Sequence, residues 1–393
     1  MAKRLQLRRG TTAEHSTFTG AVGEVTVDTD KDTVVVHDGS TDGGIPMARA
    51  DALADAIDYD ITLTVKTDGT ADFTTINDAI KHLSENYTPV YKNNGFKAII
   101  EAQAGFIMKE QILIDGMDLS WITISTAEAS REMLVDRDFL TTNFGTEYDI
   151  TAFPCLGVKK GGKITLDLIF DCQVVLGSGT DNDNKMGLIA FGSGSSIQGI
   201  NESGAIRCSD VGVYTRSGGT ISAYNMTASS DSNYGVHTRS GGTILANTMT
   251  ASSDIRVGVY AHSGGTISAY TMTASSNSSI GVYANSGTIS AYNMTASSDS
   301  DYGVHARSGN ISAYTMTVSS NSSIGVYANS GGNISALNMI ASNTADSSTY
   351  LAMVLGGGMI KSYNGIWTNN GSGSKCNVSA GTISSNGYVN RVG

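Results

Sequence analysis

The sequence predicts an all-β protein, a small N-terminal β-module followed by a right-handed parallel β-helix whose first coil is capped by one α-helix. Three observations carry this. From Val211 to about Met339 the chain repeats a unit close to Gly-Val-Tyr/His-x-x-Ser-Gly-Gly-Thr-Ile-Ser-Ala-Tyr-Asn/Thr-Met-Thr-Ala-Ser-Ser-Asp/Asn. Its Gly-Val triplets start at Gly212, Gly235, Gly258, Gly281, Gly303 and Gly325, at spacings of 23, 23, 23, 22 and 22 residues. Repeats of this length are units that bury a core only by stacking. Short β-branched runs separated by Ser-Gly-Gly and Ser-Ser-Asx turns fill each unit, so one repeat makes one coil of parallel strands. Apolar residues also recur in phase: Val213, Ile221, Ala223, Met226 and Ala228 point inward in one coil. Their equivalents stack as an Ile ladder (Ile221, Ile244, Ile267, Ile289, Ile311, Ile334) and a Met ladder (Met226, Met249, Met272, Met294, Met316, Met339). The methionines are therefore core rather than a metal or cofactor surface.

Taken in order, residues 1–51 form the β-module, in which Val25, Val27, Val34 and Val36 alternate between Asp-Gly and Gly-Gly turns. Residues 52–96 make a linker and the cap. Within them Thr75 and Asp78 give a Thr-x-x-Asp capping pattern, and Ile76, Ala79, Ile80 and Leu83 an apolar stripe for a helix at about 75–85. Coils run over 97–342, opening with the strands Ala98-Ile-Ile-Glu-Ala and Trp121-Ile-Thr-Ile-Ser. Residues 343–393, richer in Gly, form closing coils or a tip.

Bulk composition excludes several functions. The net charge of −11 argues against nucleic acid and anionic membrane as partners. No apolar stretch approaches the ~20 residues of a membrane span, and the basic start lacks the apolar core of a signal peptide. A soluble protein made in a cytoplasm is expected. Cys155, Cys172, Cys208 and Cys376 lie far apart with no zinc spacing, so free, mostly buried thiols and no metal or cofactor are expected.

The strings Arg9-Gly-Thr-Thr-Ala-Glu-His-Ser-Thr-Phe-Thr-Gly-Ala-Val-Gly-Glu, Val27-Asp-Thr-Asp-Lys-Asp-Thr-Val-Val-Val-His-Asp-Gly and Gly43-Gly-Ile-Pro-Met-Ala-Arg closely resemble the N-terminal domain of the phage major tropism determinants. The resemblance covers about an eighth of the chain. It implies a β-prism-like module that forms a homotrimer and joins a tail fibre to the baseplate or tail. The lectin-like C-terminal domain of that family is absent, so its receptor chemistry does not carry over. The stretch Asp68-Gly-Thr-Ala-Asp-Phe-Thr-Thr-Ile-Asn-Asp-Ala-Ile resembles the opening of pectinesterase-like and tailspike β-helices, where a short helix plugs the solenoid end.

Outward positions form further ladders. One runs Tyr214, His237, Tyr260, Tyr283, His305, Tyr327; a second runs Tyr224, Asn247, Tyr270, Tyr292, Tyr314, Leu337. Each suits either a glycan platform or the seam between protomers of a trimer. A third, at the turn, includes Arg216, Arg239 and Arg307, suited to an acidic glycan or to solvent. His237 and His305, three coils and ~14 Å apart, cannot share an ion. The turn ladder Asp231, Asp254, Asn277, Asp299, Asn321 reads as capped turns. A glycosidase needs carboxylates ~5–5.5 Å or ~6.5–9.5 Å apart; Asp231 with Asp254, and Asp171 and Asp210 among the irregular coils, are weak candidates, while Asp167, Asp181, Asp183 and Glu202 pair with nothing evident.

The sequence thus points to a tail-fibre or tailspike receptor-binding protein of a virion, attached through residues 1–51 and binding host-surface polysaccharide. A polysaccharide depolymerase is the alternative, and an adhesin or contractile-injection component a third reading.

Overall fold

The computed structural model describes residues 7–47, 60–87, 97–172, 184–343, 350–369, 376–379, 382–385 and 389–391. The chain divides into two compact units, 1–60 with 89–96, and 61–88 with 97–393.

In the first unit β1 (Arg8–Gly10), β2 (Val25–Asp28), β3 (Thr33–Val36) and β4 (Ile45–Pro46) form one sheet in that order. β1 runs parallel to β2, and the other pairs are antiparallel. A short helix α1 (Thr12–His15), which the sequence reading did not anticipate, follows β1. It forms because Thr11 and Glu14 close a reciprocal capping box: the Glu14 amide donates to Thr11 Oγ1 at 3.2 Å, and the Thr11 amide donates to Glu14 at 2.7 Å. Beneath it, Thr26 Oγ1 bridges His15 Nε2 at 2.8 Å and His37 Nε2 at 2.9 Å, so this small core is held partly by polar contacts.

The second unit is a parallel β-helix of about eleven coils. Its first strand β5 (Ile61–Val65) already pairs in parallel with β6 (Ala98–Ala102), so the solenoid begins before residue 97, where the sequence pattern had placed it. Strands stack coil on coil into two long parallel sheets. The described strands Ala352–Leu355, Met359–Asn369, Cys376–Ser379 and Thr382–Ser385 continue both sheets past residue 343.

The helix α2 (Ile76–Asn86) packs on β5 and β6 and buries Ile76, Ala79, Ile80 and Leu83 against them. Its first three amides are satisfied by two side chains. Thr75 Oγ1 accepts from Asp78, and the Glu110 carboxylate accepts from the amides of Ile76 at 2.7 Å and Asn77 at 3.1 Å. Glu110→Ala is expected to cost about 1–2 kcal/mol and to raise amide exchange at residues 76–79, with Glu110→Gln intermediate. Unchanged exchange in both variants would refute this capping role.

Each regular coil has three straight segments. In the coil Val257–Ser276, Ile267 and Ala269 point inward, and then Met272, Ala274 and Ser276 do. The step of three between Ala269 and Met272 turns two consecutive side chains, Tyr270 and Thr271, toward the outside and bends the strand. The Ile and Met ladders lie inside the coil with almost no exposure.

Two turns close the coil. At the first, Ser217, Ser240, Ser263, Ser286, Ser308 and Ser330 all adopt left-handed backbone, with φ between 48° and 58°. In 23-residue coils a glycine with positive φ follows, as at Gly241 (φ 76°). The coils holding Ser286-Gly287 and Ser308-Gly309 lack that one residue, which accounts for the 22-residue spacings.

At the second turn the cap is supplied by the buried serine rather than by the Asx residue the sequence suggested. Ser253 Oγ donates to the Asn233 carbonyl of the preceding coil at 3.0 Å and accepts from the Arg256 amide of its own turn at 3.1 Å. Ser276 repeats this with Arg256 and Ser279, and Ser320 with Asp301 and Ser323. Each serine thereby ties its turn to the coil before it.

Candidate functional site

The bend of each long strand presents the second aromatic ladder to solvent. Tyr224, Tyr270, Tyr292 and Tyr314 are 44–58% exposed. Tyr270, Tyr292 and Tyr314 form a continuous stack, with centroids 4.9 and 4.7 Å apart and planes within 3°. Such a stack offers ring edges and hydroxyls along its length, because each ring face is covered by the next coil. Full faces are open where the ladder is interrupted. One interruption is the coil Thr243–Ser253, where exposed Asn247 stands in the ladder and exposed Leu245 replaces the serine of neighbouring coils; a second is Leu337, which strand register sets between Tyr314 and Tyr363. Tyr224 and Tyr270 flank the first two coils apart, about 9.6 Å.

The first aromatic ladder behaves otherwise. The sequence reading set it outward and available; the structure buries it. Tyr214, His237, Tyr260, His305 and Tyr327 are each at most 8% exposed, and Tyr283 is half-buried. The rings stack at 4.6–5.0 Å from coil to coil. A parallel column, Val257 and Ile280 with Tyr234 and Tyr302, closes over their flank. Burial pushes His237 down to about 3 and His305 to about 4, so both are neutral imidazoles near pH 7. The same burial pushes Tyr260 up to about 12. Of the turn ladder, Arg216 and Arg239 are half-buried beside this column and Arg307 is exposed.

The acidic candidates are engaged. Asp231 pairs with Arg137 at 3.2 Å. Asp254 accepts from Asn277 Nδ2 at 2.9 Å, and Asp299 accepts from Asn321 at 2.7 Å, so the Asx ladder bonds along itself. Asp210 is buried and accepts from Asn233; burial raises its pKa. Asp171 ends the strand Lys163–Asp171 and has an interaction partner of its own. Asp167 takes Arg131 and Asn201, each at 3.0 Å. Asp181 and Asp183 lie outside the described residues.

One grouping escaped the sequence reading. Cys155, Cys172 and Cys208, distant in sequence, meet inside the coil. Cys155 Sγ lies 3.1 Å from Cys172 Sγ, which lies 3.3 Å from Cys208 Sγ, and all three are at most 1% exposed. Cys172 is held below the ordinary thiol range because the Cys155 and Cys208 thiols donate to it, with the Arg137 cation adding to the effect. Burial raises Cys155, and the hydrogen bond with Cys155 raises Cys208. Strand register was the available signal: Cys208 pairs with Ser230 of the capping-serine ladder.

Comparison with known proteins bears on the first unit. The family model described as the major tropism determinant N-terminal domain matches residues 5–41. A tail fiber receptor-binding protein of Bordetella phage BPP-1 is 62% identical over 56 residues, which are 14% of this chain and 15% of that protein. The chain therefore spans less than a sixth of that relative's length. The solved structures of the U1 and M1 variants of the major tropism determinant align at 67% identity over 12% of this chain and 13% of theirs, with a TM-score of 0.12. Residues 5–41 of this chain thus match the major tropism determinant N-terminal domain, and a parallel β-helix follows them in the sequence.

Proposed function

We propose that this chain is a phage tail-fibre receptor-binding protein: the N-terminal module attaches it to the tail baseplate, and the β-helix is a stiff shaft that binds host-surface glycan. The observation that carries the reading is the module itself, shared with a phage tail fiber receptor-binding protein and followed by a rigid solenoid. A trimer follows from the same kinship, and weak contacts multiplied over three chains supply avidity.

The exposed tyrosines are where the glycan binds. A pyranose held between two aromatic faces needs about 7–8 Å, twice a carbon–carbon contact distance. The Tyr224–Tyr270 gap of about 9.6 Å admits it, with the Asn247 amide as polar floor and Leu245 at its side. Acidic glycan could also meet Arg307, which is exposed.

The test is binding of the full chain to host cells and to their isolated surface polysaccharide. The double variant Tyr224→Ala/Tyr270→Ala is expected to weaken binding tenfold or more, the loss of two stacking contacts of about 1 kcal/mol each, with an unchanged circular dichroism spectrum. Undiminished binding would move the site away from this gap. Sizing the polysaccharide after incubation addresses the depolymerase reading; shortened chains would replace the binding model with a catalytic one.

A further inference from the structure

We propose that Cys155, Cys172 and Cys208 form a buried three-thiolate site for one thiophilic d10 cation, Zn2+ or Cu+, that pins two successive irregular coils to each other. The argument begins with register. Pro154 pairs with Met186 and Leu156 with Leu188, which sets Cys155 level with Gly187. The same reasoning carries this position to Gly212 and Gly235. Cys208 pairs with Ser230, and Cys172 lies at the same corner one coil earlier, its amide bonding to the Ile206 carbonyl. The repeat thus has glycine facing a capping serine at this corner; in the coil of strands 153–159 and 163–171 both give way to cysteine, and in the next coil the serine position does so again. Three substitutions with one product, converging sulfur, are unlike scattered core thiols.

Geometry and charge agree. Sulfur–metal bonds of about 2.3 Å place ligand sulfurs about 3.8–4.0 Å apart. The three Sγ atoms lie within 4.8 Å of one another, and the two short gaps of 3.1 and 3.3 Å open by about 0.5–0.9 Å to admit the ion. Thiolate donors select Zn2+ and Cu+ over harder ions. On binding, each thiol loses its proton to solvent as its sulfur–metal bond forms, which leaves a net negative centre. Arg137, the cation that acts on Cys172, offsets part of that charge. It is 8% exposed, pairs with Asp231, and keeps a buried Nε with no hydrogen-bond partner.

The full chain is expressed in medium supplemented with Zn2+ or, under reducing conditions, Cu+, and bound metal is measured after exhaustive dialysis. Wild type is expected to retain about one ion per chain; whichever ion is retained identifies the site's preference. Cd2+ substitution is expected to give a thiolate-to-metal ultraviolet charge-transfer band. The variant Cys155→Gly/Cys172→Ser/Cys208→Ser restores the residues used in later coils, so it is expected to fold and to lose at least tenfold in retained metal. Cys208→Ser alone serves if the triple variant fails to fold. Absence of both metal and charge-transfer band from wild type, equal retention by the variants, or a disulfide among these cysteines in the freshly purified protein would each overturn the proposal.

Discussion

Replacing His237 and His305 together by tyrosine, the residue that other coils carry in the same column, is expected to make the β-helix markedly more resistant to acid. Both imidazoles are buried in the ring stack, and their folded-state pKa values of about 3 and about 4 lie below the ordinary 6.5. The unfolded chain therefore takes up protons as pH falls through 6.5, while the folded chain refuses them until pH 3–4. Stability is fully present above pH 6.5 and drains away across that window. The two shifts correspond to several kcal/mol, roughly 1.4 kcal/mol per pH unit per group. The column gives a proton little help: after burial, His262, Arg239 and Arg216 act against charging His237, and Arg307 against charging His305, where Asn329 assists. Asp210 and Glu110, whose pKa values burial raises, act oppositely but are common to both proteins and cancel in the comparison. Thermal unfolding at pH 7.5, 5 and 4 checks this. The double variant is expected to track wild type at pH 7.5 and to exceed it increasingly below pH 6. Parallel curves across the range would show that these histidines do not set the acid limit.

The second large effect is expected at the glycine of the Gly-Val-Tyr triplet. A Cβ at Gly258 would sit 2.5 Å from the Ser275 carbonyl oxygen and 2.9 Å from that of Gly281. Gly235 and Gly281 meet the same obstruction from Ser252 and Ser297. These are backbone atoms already committed to the coil, so the strand itself must move. Gly258→Ala is expected to cost about 1–3 kcal/mol, and Gly258→Val more. Gly241→Ala is the contrast, since nothing lies within 4 Å of its Cβ and only its φ of 76° resists; its cost is about 1 kcal/mol. Because stacked coils support only their neighbours, hydrogen exchange in Gly258→Val is expected to rise most in the coils on either side. Equal losses at Gly241 and Gly258 would mean that the close approach does not constrain the coil.

The period of 22–23 residues, the inward Ile and Met ladders and the helix capped by Thr75 were all legible in the sequence. Each is a local pattern repeated in phase, and stacking identical units in register leaves it no other arrangement. The module at residues 5–41 was legible for a different reason, the length of its matching string. Burial on the outer surface was not. Alternation places Tyr214 and Tyr224 on the outside equally, yet one column is covered and the other open. The difference lies in neighbours: Val257, Ile280, Tyr234 and Tyr302 crowd the first column from the adjoining turn, whereas Tyr270 stands on a bend and stays more than half exposed. The meeting of Cys155, Cys172 and Cys208 likewise depends on the register of irregular coils, where insertions hide the period. Sequence by itself determined which residues share a ladder, because periodicity is a property of the chain. Only the tertiary structure decided which ladders are covered and which side chains meet across the coil, because both depend on how turns of unequal length fold back over the sheets.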